Sequence, residues 1–212
     1  MAKLKIGVLI SGRGSNLQAL IDACAQANFP AEIVLVISNK ADAGGLERAK
    51  AAKIKTKVIN HKDYDTRENF DYAMHKELEK AKVQLVCLAG FMRLLSPWFA
   101  KEWRDRMMNI HPSLLPKHKG LDTHRAALAA GDHTHGCTVH FVRAELDAGP
   151  IILQAEVPVL PDDTEETLSA RVLEQEHKIY PEAVHLYAEG RVNIIDEQVF
   201  IAGIHESGKI SA

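Results

Sequence analysis

The chain has 212 residues, 26 basic and 28 acidic side chains, a formal charge of −2 at pH 7 and 46% hydrophobic content. Such a length buries about 70% of its unfolded surface, enough for one substantial α/β domain, and so even a charge balance gives no reason for bulk binding to nucleic acid or anionic membrane. No apolar run approaches the ~20 residues of a membrane span, and Met1–Lys5 lacks the apolar core and cleavage site of a signal peptide. Cys24, Cys87 and Cys137 are few and widely spaced, with neither zinc spacing nor a disulfide framework. A cytoplasmic protein with reduced cysteines is expected.

Lys5 to Ile10 is a continuous apolar segment, followed by Ser11-Gly12-Arg13-Gly14-Ser15-Asn16. Leu17, Leu20, Ile21 and Cys24 then recur at helical spacing. This is strand, glycine loop, helix. A helix N-terminus offers unpaired N–H groups and the positive end of a dipole, and glycines let the backbone approach an anion closely. The loop lacks the Gly-Lys-Ser/Thr ending of a P-loop and the third glycine of a dinucleotide fingerprint. It reads as a site for a phosphate that is held and not transferred, or as a tight βα turn.

Glu32 to Ile37 predicts a second strand, Lys57 to Ile59 a short third, and Gln84 to Ala89 a buried fourth. Helical spacing follows Gly44, and a helix is predicted from about Arg67 to Ala81. Alternating strands and helices predict a doubly wound, mainly parallel sheet. Ligands of such sheets bind outside the carboxyl ends of the strands. The loops at Ser11, Ser38, Gly90 and His111 are therefore expected on one edge. Phe91 to Leu95 is either core packing at a strand end or an apolar wall for a flat heterocycle.

Met107-Met108-Asn109-Ile110-His111-Pro112 sets an amide and an imidazole two residues apart, on one face of an extended segment. The pair suits a developing oxyanion and a nearby proton transfer, or is a polar strand end at a turn. Asp122 can cap a helix through Arg125 and Leu128, and Gly136 to Val142 alternates as a strand. His133, His135 and His140 complete no recognisable metal spacing and are expected to be solvated loop histidines. Asp147 precedes a Gly-Pro turn. It is ordinary turn chemistry unless it faces His111, where a carboxylate would orient the imidazole and favour its cation. Asp162 to Glu166 starts a helix, in which Leu168, Val172, Ile179, Ala183 and Leu186 form an apolar stripe. Glu176 falls on that stripe and needs a partner, either a substrate ammonium or a structural cation. Arg191 to Phe200 suggests terminal strands, and Gly203 to Ala212 a frayed end.

Taken together, Ile10 to Gln18, Ser38 to Ala43, Leu88 to Arg93, Asn109 to Pro116, Leu146 to Ile151 and Gln175-Glu176-His177 resemble the phosphoribosylglycinamide formyltransferase family, from about Lys5 to Asp196. The resemblance implies one formyltransferase domain over 1–212. Its fold would be a mainly parallel sheet with a C-terminal antiparallel extension. A nucleotide phosphate-binding half would cover about 1–104 and a folate and catalytic half about 105–200. It implies transfer of the formyl group of 10-formyltetrahydrofolate, as co-substrate and without a metal, to the amine of glycinamide ribonucleotide in purine synthesis. Asn109, His111 and Asp147 match the family's catalytic trio. The first two would stabilise charge on the formyl oxygen, and Asp147 would aid proton transfer. Gly14, Ser15 and Asn16 match its phosphate loop, and Glu176 a carboxylate near the glycyl amine. Arg67, Met92, Arg93, Leu94, Leu95 and Asn109 match positions around the folate.

A monomer or weak homodimer acting on small molecules is implied. Near the site the chain departs from the family at Arg13, at His118-Lys119 and at Asp122. Relatives that hydrolyse 10-formyltetrahydrofolate generally add an N-terminal domain, and those that formylate methionyl-tRNA add a C-terminal one. A plain nucleotide-binding module would leave Asn109, His111, Asp147 and Glu176 without a joint purpose.

Overall fold

The computed structural model describes residues 2–203 and 209–210. The chain divides into two compact units, Met1–Asn109 and Ile110–Ala212.

The first unit alternates β1 (Leu4–Ile10), α1 (Ser15–Cys24), β2 (Ala31–Ser38), α2 (Gly45–Ala51), β3 (Thr56–Val58), α3 (Arg67–Lys80), β4 (Leu85–Leu88), α4 (Pro97–Glu102) and β5 (Met107–His111). β5 carries the chain across the boundary. The strands pair in parallel in the order β5-β4-β1-β2-β3. Ile6, Val8, Leu9 and Ile10 of β1 are fully buried, as continuous apolar strands covered on both faces must be. Thr66 caps α3 by accepting from Asn69 N at 3.1 Å, and Ser96 caps α4 by accepting from Phe99 N at 3.2 Å. This is the doubly wound arrangement expected, with the ends of the predicted strands and of α3 within one or two residues of their predicted places; α4 was not predicted.

In the second unit β6 (Thr134–Phe141) and β7 (Ile151–Pro158) form the antiparallel extension. α5 (Thr123–Ala129) precedes them and α6 (Glu165–Ala188) follows. α6 opens with a capping box between Thr164 and Thr167. Its stripe of Leu168, Val172, Ile179, Ala183 and Leu186 is buried as predicted, and Glu176 is buried with it. Pro181 lies inside α6, where it removes one backbone hydrogen bond. β8 (Val192–Ile195) and β9 (Gln198–Ile201) make a separate hairpin.

Three expectations are corrected. Asp122 stands before α5 but makes no side-chain cap, because its backbone is left-handed at φ 56°. His135 and His140 are not solvated loop residues. β6 starts two residues before Gly136, and both histidines are buried in it. The tail from Gly203 lies partly outside the described residues, but Lys209–Ile210 forms β10, parallel to β7, so that piece is not frayed.

Candidate active site

In the first unit the carboxyl ends of β1, β2 and β4 are tied at one side chain. The buried Ser11 hydroxyl donates to Asn39 Oδ1 at 2.6 Å and accepts from Met92 N at 2.8 Å. Asn39 Nδ2 in turn donates to His61 Nδ1 at 3.2 Å. The glycine loop, the loop after β2 and the Gly90–Leu95 segment are thus held together, as the shared-edge argument requires. Asn109 sits at the end of β5 opposite Leu88 of β4.

Gly14 precedes α1 in the left-handed region at φ 74°, where only glycine is comfortable. A Cβ there would also meet Gly45 Cα at 2.6 Å, so the loop packs directly against the start of α2. Ser15 begins α1, and Asn16 beside it is buried. No side chain caps this helix and no acidic residue occupies its first turn, so no carboxylate offsets the positive end of its dipole, the end that favours an anion. Arg48 of α2 donates from Nε to the Arg13 carbonyl at 2.9 Å and from Nη1 to Gln18 Oε1 at 3.3 Å. Sequence spacing gave no hint of Arg48, because it reaches the loop from another helix.

Met92 and Leu94 are 61% and 59% exposed, which excludes core packing. Phe91 anchors their segment by stacking on Phe70, ring centroids 6.4 Å apart. Downstream, Asp71 accepts from Ser96 N at 2.6 Å. The segment therefore presents apolar side chains outward between two fixed ends. Arg93 is exposed and Leu95 half-buried, and Arg67 lies exposed at the first position of α3.

In the second unit His111 and Asp147 come together, with Nδ1 and Oδ2 at 3.6 Å and both side chains buried. Thr123 Oγ1 donates to the Pro112 carbonyl at 2.7 Å, and Thr138 Oγ1 to the Ser113 carbonyl at 2.6 Å. These bonds fix the chain leaving His111. Asp147 has φ 49°, a conformation aspartate tolerates better than most side chains. It is seated because Gly149 packs against the Phe141 carbonyl, where a Cβ would collide. Gly120 N donates to Asp147 Oδ2 at 2.9 Å.

The His118 carbonyl lies 2.9 Å from His111 Nε2. A carbonyl only accepts, so Nε2 carries a proton. The ring thus has a carbonyl accepting from Nε2 on one side and a carboxylate 3.6 Å from Nδ1, beyond a direct hydrogen bond, on the other. His140 Nε2 lies 3.8 Å from Asp147 Oδ1, while its Nδ1 donates to the Phe141 carbonyl at 2.9 Å.

Burial pulls the His140 pKa down, against the opposing pull of its hydrogen bond to Phe141. Burial, then the neighbouring His124 and His118, pull His135 down to about 4. His135 Nε2 and His124 Nδ1 are 3.2 Å apart. Burial raises the Cys137 thiol and Glu176 raises it further, which places the Glu176 carboxylate in the electrostatic reach of β6. Among the described residues no cluster of three or more His, Cys, Asp or Glu is arranged to hold a metal ion, and no helix is long and apolar enough to cross a membrane.

Asn109 and His111 stand two residues apart on β5, so their side chains share a face. Asn109 is half-buried and His111 buried. Sequence reading missed the Gly120 amide, the His118 carbonyl and His140. Turn amides and carbonyls leave no mark in residue type, and His140 was legible only with β6 as a strand buried on both faces.

Residues 4–184 match the formyl transferase family. The chain is 50% identical over 200 residues to the phosphoribosylglycinamide formyltransferase of Escherichia coli (strain K12), covering 94% of each. It is 52% identical over 197 residues to the trifunctional purine biosynthetic protein adenosine-3 of Chironomus tentans, covering 92% of this chain. Of that protein and its counterparts the chain spans 14–19% of the length. Among solved structures, glycinamide ribonucleotide transformylase 1 from Symbiobacterium toebii superposes with a TM-score of 0.92 at 50% identity, over 94% of each chain.

Proposed function

Because the chain belongs to the formyl transferase family, and within it to the phosphoribosylglycinamide formyltransferases of purine biosynthesis, we propose that it moves the formyl group of 10-formyltetrahydrofolate to the amine of glycinamide ribonucleotide. The products are N-formylglycinamide ribonucleotide and tetrahydrofolate. The observation that carries the mechanism is His111 held between the His118 carbonyl on Nε2 and the Asp147 carboxylate 3.6 Å from Nδ1.

The folate co-substrate supplies an already activated one-carbon group, so no metal and no nucleotide hydrolysis enter. The exposed Met92 and Leu94 fit the face of a flat heterocycle, and Arg67 fits a terminal carboxylate. Arg93, Leu95 and Asn109 complete the folate contacts. Asn109 donates a hydrogen bond where negative charge develops on the formyl oxygen, and the protonated His111 supports it by sharing the Nε2 proton that the His118 carbonyl otherwise accepts. One such donor is worth about a hundred- to a thousandfold in rate. Asp147 sustains the imidazolium and takes part in moving the proton from the attacking amine toward the leaving nitrogen. Gly14, Ser15 and Asn16 hold the ribose phosphate on the α1 N-terminus. Glu176 pairs with the glycyl amine. The reading is of a cytoplasmic enzyme, monomeric or weakly dimeric, over the single domain outlined above, with small-molecule partners only.

The test is formyl transfer to glycinamide ribonucleotide, with a control lacking the acceptor. Transfer that needs the acceptor is expected. Equal loss of formyl groups with and without it would make the protein a hydrolase instead. For the phosphate loop, glycinamide ribonucleotide should bind far more tightly than its dephosphorylated form, and equal affinity would remove the loop from the site.

A further inference from the structure

The carbonyl on His111 Nε2 belongs to His118, and that residue is itself clamped. His118 Nε2 donates to Asp132 Oδ2 at 2.7 Å, and Lys117 Nζ donates to Asp132 Oδ1 at 3.0 Å. The two cationic-side partners occupy both oxygens of one carboxylate. Together they hold the Asp132 carboxyl below the usual carboxylate range, His118 contributing most. His118 needs such a hold, because its backbone is left-handed at φ 51°, a conformation disfavoured for a side chain with a Cβ. Ser113 Oγ pins the next carbonyl upstream, that of Lys117, at 2.6 Å. Gly120, two residues on, donates to Asp147. The short turn 117–120 therefore touches both members of the His111–Asp147 pair, one with a carbonyl and one with an amide. It is tied down from outside at Asp132.

We propose that Asp132 is a positioning residue for catalysis. By gripping the His118 and Lys117 side chains it keeps the His118 carbonyl on His111 Nε2, and so fixes the ring plane and the proton of the catalytic histidine. Asp132 touches neither substrate in this scheme. The inference deepens the formyl-transfer reading and rests on it for the consequence in rate, but not for the consequence at the His111 ring.

The experiment is Asp132→Asn beside Asp132→Glu and Lys117→Ala, each followed by two readouts. The first is the nitrogen chemical shifts of the His111 imidazole in the free protein, which report the tautomer and protonation of that ring without any substrate. Asp132→Asn is expected to move the Nε2 resonance and speed exchange of its proton, Lys117→Ala to do so less, and Asp132→Glu to restore part of the parent signal. The second is steady-state formyl transfer. A displaced catalytic group costs about tenfold to a hundredfold, expected in kcat, with the KM of both substrates nearly unchanged and the acid limb of the pH–rate profile displaced.

A merely structural ion pair would lower the melting temperature and leave the His111 resonances in place. That result overturns the proposal. So does a folded Asp132→Asn variant with parent kcat. If Asp132→Asn does not fold, Lys117→Ala decides by the same criterion. A ring that moves in an enzyme found to transfer no formyl group would keep the clamp and remove the proposed reaction.

Discussion

The two units build their candidate sites from different chemistry. In the first, a serine hydroxyl, an amide and backbone groups join three loops, with Ser11 at the centre. In the second, histidines and carboxylates surround one ring, with Asp147 at the centre. The bonds that Ser11 makes join a hydroxyl, an amide and a backbone N–H, groups that fix a shape and do not titrate over the physiological range. A cluster of ionisable groups sets a protonation state as well as a shape, which proton transfer requires. The contrast suits a binding surface in one unit and a chemical one in the other.

The contrast is sharpest in turnover. Asp147→Asn keeps an acceptor for Gly120 N but removes the charge beside His111. Turnover should fall about a hundred- to ten-thousandfold with normal folding, and His111→Ala should fall comparably. Near-parent turnover in either variant would remove the second unit's claim to the chemistry. In the first unit the expectation is the reverse. Gly14→Ala forces a side chain into the left-handed region, at about 1–2 kcal/mol, and against Gly45. It should raise the KM for glycinamide ribonucleotide at least tenfold while kcat at saturation changes less. A loss confined to kcat would contradict the division of labour.

Much of the first unit was legible because its strands are continuous apolar runs and its longer helices keep apolar residues at helical spacing. The glycine loop can be placed from residue spacing alone, since apolar strand, glycines and helical periodicity follow one another without interruption. The second unit was harder for physical reasons. A period-two pattern identifies a strand with one wet face, whereas β6 is buried from His135 to Phe141. Its histidines are admitted because their ring nitrogens find partners inside. The meeting of His111 with Asp147 depends on a turn seated by Gly149 against Phe141, a contact no local spacing encodes. Family resemblance pointed to that pair where residue physics alone left it open.

Ser11→Ala tests the neutral network with a smaller effect. It strips a partner from Met92 N and from Asn39 Oδ1, and an unsatisfied buried polar group costs about 1–3 kcal/mol. The melting temperature should drop by a few degrees and the KM for the folate should rise. An unchanged folate KM would show that the Gly90–Leu95 segment needs no tie to β1.

Mild acid gives the smallest effect and the most direct comparison. His135 has its pKa lowered to about 4 by burial, against about 6.5 in an unfolded chain. Between those values the unfolded state binds the proton and the folded state does not, so stability is complete above about pH 6.5 and declines as pH falls toward 4. His124 and His140, also lowered by burial, act in the same direction. In the first unit Asp71 has its pKa raised by burial, so there the folded state takes up the proton first, and that contribution grows as pH falls through the raised value. Hydrogen exchange at pH 7 and pH 5 should therefore show β6 and β7 losing protection while β1 and β2 hold theirs. His135→Gln should narrow the difference, because the glutamine has no proton to gain. Equal loosening of both sets of strands, or earlier loosening of β1 and β2, would mean that the histidine cluster is not what distinguishes the two units under acid.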